Sequence, residues 1–302
     1  MNFQKLDLNL KSQYDRFLLH SRHGGCEFSF VNLFLWGRQK GYLTEDTLFL
    51  FSQFDRRDVY PYPVTYGDRK QVIDAIMADA KERGIPCRLT SMSQDDCREL
   101  EALYPGRFRF RADRDTFDYV YDIHDLADLK GRKFQKKRNH LHRFEEQHPS
   151  CQLLPLDGST RPMAQEMLRQ WYIDRSAADP TLDFHMEKVA MERAFEFQEQ
   201  LGLEGLLLMD EGRVLAFTMG SRLSPDTFDV HFEKAREDVD GAYAAINRAY
   251  ARYIRETHPE VLFLNREEDM GLEGLRKAKS SYNPHHMVEK YWARLWEDED
   301  ET

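Results

Sequence analysis

The residues best suited to chemistry follow a short apolar run near the end of the chain. That run, VLFL at 261–264, predicts a buried strand. The polar side chains after it are Asn265, Arg266, Glu267, Glu268 and Asp269. Open sheets tend to place their sites at the carboxyl end of such a strand. Carboxylates there can accept a proton, and amide or cationic donors can hold an oxyanion or a phosphate. The alternative is a charged turn that only caps the strand.

A short basic helix is predicted after this turn. Gly271 and Gly274 interrupt the chain, and Arg276, Lys277 and Lys279 follow. Tyr282 and Pro284 close the stretch. Lys277, Asn265 and Tyr282 are therefore candidate substrate-binding residues, with Arg266, Glu267 and Asp269 as candidate catalytic residues. A surface ion-pair network of Arg266, Glu268 and Lys277 is the competing interpretation.

A second candidate group lies on an earlier predicted strand. Asp229, His231 and Glu233 alternate along it, so they share one face. We expect this polar face to line a cleft or meet solvent, which makes His231 and Glu233 candidate catalytic residues. A structural role for a single strand histidine is the alternative. No HExxH motif and no GxSxG elbow occurs, so we expect neither a metal site nor a serine nucleophile of that type.

One basic stretch stands out in an acidic chain. The formal net charge is −10, so general affinity for nucleic acid is not expected. Residues 130–143 are nonetheless rich in Lys and Arg, and Lys136, Lys137, Arg138 and Asn139 are candidate contacts for RNA or lipid phosphate. Phe134 and Phe144 are expected to point inward, which leaves this helix without exposed aromatic rings for stacking. A solvated helix face is the alternative.

The elements that would position these residues follow a repeated order. The second half reads as two helices, three antiparallel strands, a helix, a strand, a helix and a closing strand at 286–296. The first half shows a looser version of that order. We therefore expect an α+β protein, a tandem duplication of GNAT-like (acyl-CoA N-acyltransferase) domains, each a mixed, mostly antiparallel sheet flanked by helices. The expected domains are 1–128 and 129–302, the second beginning with the basic helix 130–147.

Composition places the chain in the cytoplasm. It has 302 residues, with 41% hydrophobic and 32% charged. The start lacks an apolar signal segment, and no run approaches the ~18 apolar residues of a membrane span. Four scattered cysteines predict reduced thiols rather than a zinc site. The acidic tail EDEDET at 297–302 is expected to be solvated.

Several motifs together resemble the DUF2156 family, which is related to the C-terminal domain of phosphatidylglycerol lysyltransferases. They are Cys26-Glu27-Phe28-Ser29-Phe30 leading to Trp36, Asp118-Tyr119-Val120-Tyr121, Lys130-Gly131 with Lys136-Lys137-Arg138-Asn139-His140, His231-Phe232-Glu233-Lys234-Ala235, Asn265-Arg266-Glu267-Glu268-Asp269, Gly274-Leu275-Arg276-Lys277 and Ser281-Tyr282. The resemblance covers nearly the whole chain. It implies two acyltransferase-like domains similar to the Fem peptidyltransferases, which take amino acids from aminoacyl-tRNA.

The implied activity is transfer of an aminoacyl group to an amine or hydroxyl acceptor, such as a lipid head group or a peptide. An aminoacyl ester carries a cationic amine, which suits acids at the strand-to-helix turn. We expect Glu267 or Asp269 to act as base or amine clamp. Arg266, Lys277 and Asn265 would donate to an oxyanion or phosphate. The aminoacyl donor would be aminoacyl-tRNA, which the basic helix 130–143 would bind.

For the aminoacyl transfer we expect no cofactor. The main alternative is a CoA-dependent N-acetyltransferase, whose cofactor would be acetyl-CoA. Acetyl-CoA members of this superfamily hold pyrophosphate on a loop at a helix N-terminus. Here that loop is 236–243, where Asp238 and Tyr243 depart from the pattern. Because the loop is acidic, with Glu237 and Asp240 besides Asp238, repulsion argues against pyrophosphate. A catalytically inactive binding module is the third interpretation.

Overall fold

A computed structural model describes residues 1–19, 21–54 and 57–296. The expected solvated tail at 297–302 lies outside the described residues. The helices are α1 Lys11–Leu18, α2 Phe30–Trp36, α3 Arg69–Arg83, α4 Gln94–Leu103, α5 Ile123–Asp128, α6 Gln135–Gln147, α7 Arg161–Ala178, α8 His185–Glu196, α9 Gln198–Leu201, α10 Ala242–Thr257 and α11 Glu273–Ser280.

The strands alternate with these helices. They are β1 Gln4–Lys5, β2 Gln39–Leu43, β3 Thr47–Phe54, β4 Arg57–Pro61, β5 Val64–Thr65, β6 Arg88–Met92, β7 Phe108–Ala112, β8 Asp118–Asp122, β9 Gln152–Pro155, β10 Glu204–Asp210, β11 Arg213–Arg222, β12 Thr227–Ala235, β13 Phe263–Asn265, β14 His286–Val288 and β15 Tyr291–Leu295. The expected α+β composition is confirmed.

The chain forms two compact units. The first unit contains residues 1–118 and 268–276 and the chain from Met287 onward. The second unit contains residues 119–267 and 277–286. The domain boundary expected at residue 128 stays a prediction, since compact packing does not by itself define a folding domain.

The first unit is built on an eight-stranded mixed sheet. Its strands run in the order β1-β2-β3-β4-β6-β15-β7, and β5 pairs with β3. Helix α3 buries Val72, Ile73 and Ile76 in a core shared with Tyr60 and Leu89 of the sheet. The helix begins after Asp68, whose side chain accepts from Gln71 N, and ends at Gly84 in the left-handed region.

The second unit is built on a seven-stranded sheet in the order β14-β8-β13-β12-β11-β10-β9. Strands β10, β11 and β12 pair antiparallel, as their hairpin signals predict, whereas β12 and β13 run parallel. A bulge interrupts the β11–β12 pairing at Met219 and Gly220. Helix α10 buries the apolar stripe that contains Ile246, Tyr250 and Ile254.

Two strands belong to a different sheet from the one their chain position suggests. Strand β15, expected to close the late sheet as part of 286–296, instead pairs with β6 and β7 in the first sheet. Strand β8, from the first half of the chain, pairs with β13 in the second sheet. The expectation for 286–296 is therefore wrong beyond β14. Strand exchange of this kind depends on long-range pairing, which local sequence patterns do not encode.

Among the described residues, helices long and apolar enough to span a bilayer are absent.

Gly241 gives a test of how α6 packs on the start of α10. Its φ is +82°, and an added Cβ would lie 2.5 Å from His140 O and 3.0 Å from Phe144 Cβ. Gly212 has a similar φ of +80° with nothing within 4 Å of an added Cβ. We expect Gly212→Ala to cost about 1 kcal/mol of backbone strain. Gly241→Ala should cost about 2 kcal/mol more, because the backbone must also move.

Urea unfolding of the two variants measures the difference. Equal losses in the free energy of unfolding would show that the close approach of α6 contributes nothing.

Candidate active site in the second unit

Strands β12 and β13 bring the two sequence-predicted groups together. Their parallel register pairs Asp229 with Asn265, so the residues beyond this pair share one end of the sheet. There Arg266 Nη2 donates to Glu233 Oε1 at 2.8 Å. The other Glu233 oxygen accepts from Asn247 Nδ2 of α10 at 3.3 Å. The two charged side chains are only 13% and 9% exposed, so the ion pair is largely desolvated.

Aromatic rings enclose the Arg266 guanidinium. Its central carbon lies 5.1 Å from the ring centroid of Tyr282 and 5.6 Å from that of Tyr121. Both distances are within the range of a cation–π contact. Arg266 Nη1 is buried and has no acceptor among the described residues. A buried guanidinium N–H without an acceptor is suited to an oxygen of a bound ligand.

Lys137 of the basic helix α6 reaches the same place. Its Nζ lies 3.8 Å from the centroid of the Tyr282 ring. Burial lowers the pKa of Lys137 to about 8; the neighbouring Arg266 charge acts in the same direction, and Glu233 opposes both. Burial also raises the pKa of Tyr282 to about 12, which keeps the phenol neutral. A lysine that titrates near neutral pH is suited to proton transfer.

His231 and Glu267 form a hydrogen-bonded pair beside this cluster. His231 Nδ1 lies 3.2 Å from Glu267 Oε1 and 3.5 Å from Asp229 Oδ2. Its Nε2 shares a 2.8 Å hydrogen bond with Ser221 Oγ. The His231 side chain is 1% exposed, so the expectation that it meets solvent is wrong. Ligand atoms of Asp229, His231 and Glu267 all lie within 4.8 Å of one another, a spacing compatible with a metal ion.

The turn that carries Arg266 and Glu267 is held by a buried lysine. Lys279 Nζ donates to Arg266 O at 2.6 Å and to Glu267 O at 3.1 Å. Glu267 has a φ of +56°, a costly conformation for a residue with a side chain. Asn265 Oδ1 accepts from Glu267 N at 2.7 Å, and Asn265 is fully buried. Asn265 and Lys279 therefore shape the turn.

The remaining predicted acids lie elsewhere. Asp269 belongs to the first unit, where Arg276 donates to both of its carboxylate oxygens and Arg114 lies 3.2 Å away. Its side chain is completely buried. Glu268 lies 4.0 Å from Lys290, also in the first unit. The structure therefore does not bring Asp269 to the Arg266 cluster, and its ion pairs explain its burial without catalysis.

Much of the basic run is already partnered. Lys133 pairs with Asp125, Arg143 pairs with Asp240, and Arg138 donates to the carbonyls of Leu129 and Gly131. Three predicted binding residues are instead solvent-exposed: Lys136, Asn139 and Lys277. Phe134 and Phe144 are buried, as expected. Of the predicted contacts in this helix, Lys137 is the one in the cluster.

The loop before α10 departs from the pattern of the pyrophosphate-binding loops at Asp238 and Tyr243. The His140 carbonyl lies against Gly241, as described above, and would repel an anion there. Tyr243 occupies the position where a small residue is needed. The acids of the loop are not free, however: Glu237 pairs with Arg175, Asp238 with Arg213 and Asp240 with Arg143. The repulsion argued from sequence is thus weaker than expected, and the question of acetyl-CoA stays a prediction.

The family follows from comparison with known proteins. A family model described as phosphatidylglycerol lysyltransferase, C-terminal, matches residues 20–294. The chain belongs to this family. A crystal structure of a conserved protein of unknown function from Bacteroides thetaiotaomicron is 35% identical, covers 98% of this chain and 100% of its own, and superposes with a TM-score of 0.91.

Solved structures with lower sequence identity to this chain share its fold. The structure of L-PGS from Bacillus licheniformis has a TM-score of 0.64 at 17% identity, covering 97% of this chain and 93% of its own. FemX has a TM-score of 0.59 at 12% identity and covers 98% of each chain. A tandem GNAT protein from the clavulanic acid biosynthesis pathway has a TM-score of 0.50. The predicted tandem GNAT-like fold and the resemblance to the lysyltransferase family are confirmed.

An uncharacterised protein of Mycoplasmoides gallisepticum is 23% identical over 185 residues. The match spans 59% of this chain and 56% of that relative's length.

Several side chains of the cluster escaped the sequence analysis of this family member. Tyr121 lies in a quoted motif but carried no role, and Ser221, Asn247 and Lys279 were not singled out. Asn247 is the interior polar residue of an otherwise apolar helix face, a pattern that signals a buried partner. Lys279 sits in a basic segment, where nothing distinguishes a buried lysine from an exposed one.

The Arg266–Glu233 pair should be costly to break from one side. Glu233→Gln leaves the Arg266 charge buried without its counter-ion, and we expect a loss of about 3 kcal/mol in the free energy of unfolding. The double variant Glu233→Gln with Arg266→Met should recover part of that loss, since it removes the uncompensated charge. Urea denaturation of both variants measures the coupling. Additive losses would show that the two charges do not depend on each other.

Proposed function

We propose that the protein is an aminoacyltransferase that moves an aminoacyl group from aminoacyl-tRNA to an amine or hydroxyl acceptor. Family membership and fold support an aminoacyl-type transferase in general. The observation that carries the finer proposal is that Lys137 and Arg266 both contact the Tyr282 ring. These contacts bring the basic helix α6 next to the turn after β13.

The cluster contains the groups that ester aminolysis or transesterification requires. Neutral Lys137 Nζ takes the proton of the acceptor hydroxyl or amine as it attacks the ester carbonyl. Arg266 Nη1 donates to the oxyanion that develops, and Glu233 holds the guanidinium in place. When the intermediate collapses, the 3′ oxygen of the tRNA leaves and receives the proton from Lys137. Glu267, held by His231, receives the cationic α-amine of the donor.

Acceptor and location remain part of the proposal. A lipid head group or a peptide offers the required nucleophile, and the printed descriptions of the family and of L-PGS point toward a lipid. A tRNA donor requires the reaction to occur in the cytoplasm. The proposed reaction uses neither acetyl-CoA nor another cofactor. We rank the acetyltransferase alternative lower because Asp238 and Tyr243 depart from the pattern of the pyrophosphate-binding loop.

Lys137→Arg separates proton transfer from phosphate binding. The proposed base is the neutral amine, so transfer should rise about tenfold per pH unit below 8 and level off above it. Arginine stays protonated and should lose at least 100-fold in kcat, as Lys137→Met should. The assay uses bulk tRNA charged with radiolabelled amino acids, with vesicles of phosphatidylglycerol or a peptide mixture as acceptor. Uncatalysed deacylation is subtracted at each pH.

Lys136→Arg, a neighbouring exposed position, is the matched control and should keep full activity. An active Lys137→Arg variant with a flat pH profile would remove Lys137 as the base. Absence of transfer from every charged tRNA would favour the inactive binding module.

Glu267→Ala tests the amine clamp. The carboxylate should interact with the donor more than with the fold, so transfer should fall at least 100-fold while the melting temperature stays unchanged. Asp269→Asn is the comparison. Asp269 is paired with two arginines, so this substitution should lower the melting temperature. If Glu267→Ala keeps activity, or loses it only together with stability, its role is structural.

A further inference from the structure

Two groups of side chains among the described residues have ligand atoms spaced closely enough to hold a metal ion. One of them, in the first unit, already holds a lysine. Lys290 Nζ lies 2.6 Å from Glu27 and 2.7 Å from Asp118, so the protein supplies its own cation there. The other group, in the second unit, is centred on a histidine and consists of Asp229, His231 and Glu267.

A β-bulge positions the histidine of this group. In the pairing of β11 with β12, Val230 and Phe232 are paired with consecutive residues of β11, so His231 is the extra residue of the bulge. Bulges re-aim a side chain and are enriched next to functional sites. The re-aimed ring contacts Asp229 of its own strand and Glu267 of the turn after β13. The sheet therefore brings together three ligands that lie up to 38 positions apart in the chain.

The distances around His231 Nδ1 match the edges of a zinc coordination tetrahedron. This nitrogen lies 3.2 Å from Glu267 Oε1 and 3.5 Å from Asp229 Oδ2. Zinc–ligand bonds of about 2.0–2.2 Å place neighbouring ligands of a tetrahedron about 3.3–3.6 Å apart. The octahedron that Mg²⁺ demands, with bonds of about 2.0–2.1 Å, would place them about 2.8–3.0 Å apart. An imidazole ligand also favours a transition metal over Mg²⁺ or Ca²⁺.

A metal ion accounts for this arrangement better than a hydrogen bond does. A single hydrogen on Nδ1 can point at one carboxylate only, and the 3.2 Å separation from Glu267 exceeds the about 2.7–2.9 Å of a charge-assisted bond. A divalent ion would contact Asp229, His231 and Glu267 together.

The second ring nitrogen is oriented as in metal sites. His231 Nε2 shares a 2.8 Å hydrogen bond with Ser221 Oγ of β11. Metal-binding histidines usually donate their other N–H in this way, which leaves the lone pair of the first nitrogen for the ion. The Glu267 side chain is 17% exposed, whereas those of Asp229 and His231 are buried. An ion from solution therefore reaches the site at Glu267.

We propose that Asp229, His231 and Glu267 bind a zinc ion, with water as the fourth ligand, and that bound zinc inhibits transfer. Zinc and the α-amine of the donor exclude each other at Glu267. A divalent ion about 2 Å from that carboxylate cancels its attraction for an ammonium group and repels the group. Zinc is thus an inhibitor of transfer and not its cofactor. The inhibition rests on the proposed function, whereas zinc binding does not and is measured without transfer.

Isothermal titration with zinc chloride tests the site, using the full chain after chelator treatment and dialysis. We expect one tightly bound equivalent, held at least 100-fold more tightly than magnesium. His231→Gln removes a ligand and should weaken zinc binding at least 100-fold. Ser221→Ala leaves all three ligands in place and should weaken it about 10-fold, because the ring loses its orienting partner. Circular dichroism establishes that each variant is folded, and Ser221→Ala decides the test if His231→Gln is not.

His285→Gln is the matched control. His285 Nδ1 lies 2.9 Å from His286 Nδ1 on the protein surface, another place where two imidazoles could share an ion. This variant should bind zinc like the unmodified protein. Loss of tight zinc binding in His285→Gln, its retention in folded His231→Gln or Ser221→Ala, or equal binding of magnesium overturns the site.

Transfer assays at increasing zinc concentration test the inhibition. Saturating zinc should reduce transfer at least 10-fold, and a chelator should restore it. Ser221→Ala should need about 10-fold more zinc for half-inhibition, and an unchanged zinc requirement or transfer unaffected by bound zinc overturns the inhibition. Transfer activity with no zinc binding would leave the proposed function standing and refute this site alone. Zinc binding as expected in a protein that transfers nothing would refute the proposed function and leave the site standing.

Discussion

The ion pair between Arg266 and Glu233 is the interaction on which the candidate site depends. It ties strand β12 to the turn after β13, at the end of the sheet's parallel pair. Because both charges are nearly buried, each fixes the other in a single position. Burial is the main cause of the shifted pKa values of Lys137 and Tyr282, and the pair adds to it: the Arg266 charge lowers the pKa of both groups, and Glu233 raises it. The fold therefore places the Arg266–Glu233 ion pair next to Lys137, a third charged group whose pKa is lowered.

This arrangement differs from a pocket of unpaired acids. The sequence shows the carboxylates of Glu233, Glu237 and Asp269 but not the arginines that reach them. Each receives a guanidinium in the structure, from Arg266, Arg175 and Arg276 respectively. Glu233 and Asp269 are buried and need such partners, since an isolated buried charge would be neutralised or expelled, whereas Glu237 is exposed. Of the predicted acids in the second unit, Glu267 is therefore the best suited to attract a cationic amine, because it contacts a histidine rather than an arginine.

Local sequence patterns account for much of the local structure. The helix at 69–83 begins after Asp68 and ends at Gly84, and the helix at 94–103 begins after a Ser93 capping box, because caps are encoded within a few residues. The hairpin at 210–213 follows from Glu211 and Gly212, both with positive φ. Family motifs also led to Arg266, Glu233 and Lys137. That Lys137 and Arg266 share the Tyr282 ring could not be read from the sequence, because the two residues are 129 positions apart in the chain.

The features that sequence did not reveal all depend on pairing across long stretches of chain. Strands β8 and β15 look equivalent to their neighbours in the chain, and only sheet pairing assigns them to opposite sheets. Asp269 and Glu267 are two residues apart, yet they belong to different compact units. Their closeness in the sequence therefore suggested one shared site, although the two carboxylates have separate surroundings. One is bound by arginines and buried, and the other remains partly accessible beside His231.

The ion pairs of the basic helix also bear on how an acidic protein would bind the proposed RNA donor. At a net charge of −10, a long-range field would repel a polyanion rather than attract it. Many basic groups of 130–143 are bound to the protein's own acids or carbonyls, so an extended positive surface is not what the helix offers. The RNA donor proposed above would then have to be recognised by short-range donors such as Arg266 Nη1, which is buried without an acceptor among the described residues. Donors of this kind act at contact distance and are screened little by salt. Specificity in such a site arises from the fit of individual oxygens, and encounter rates stay unassisted by charge.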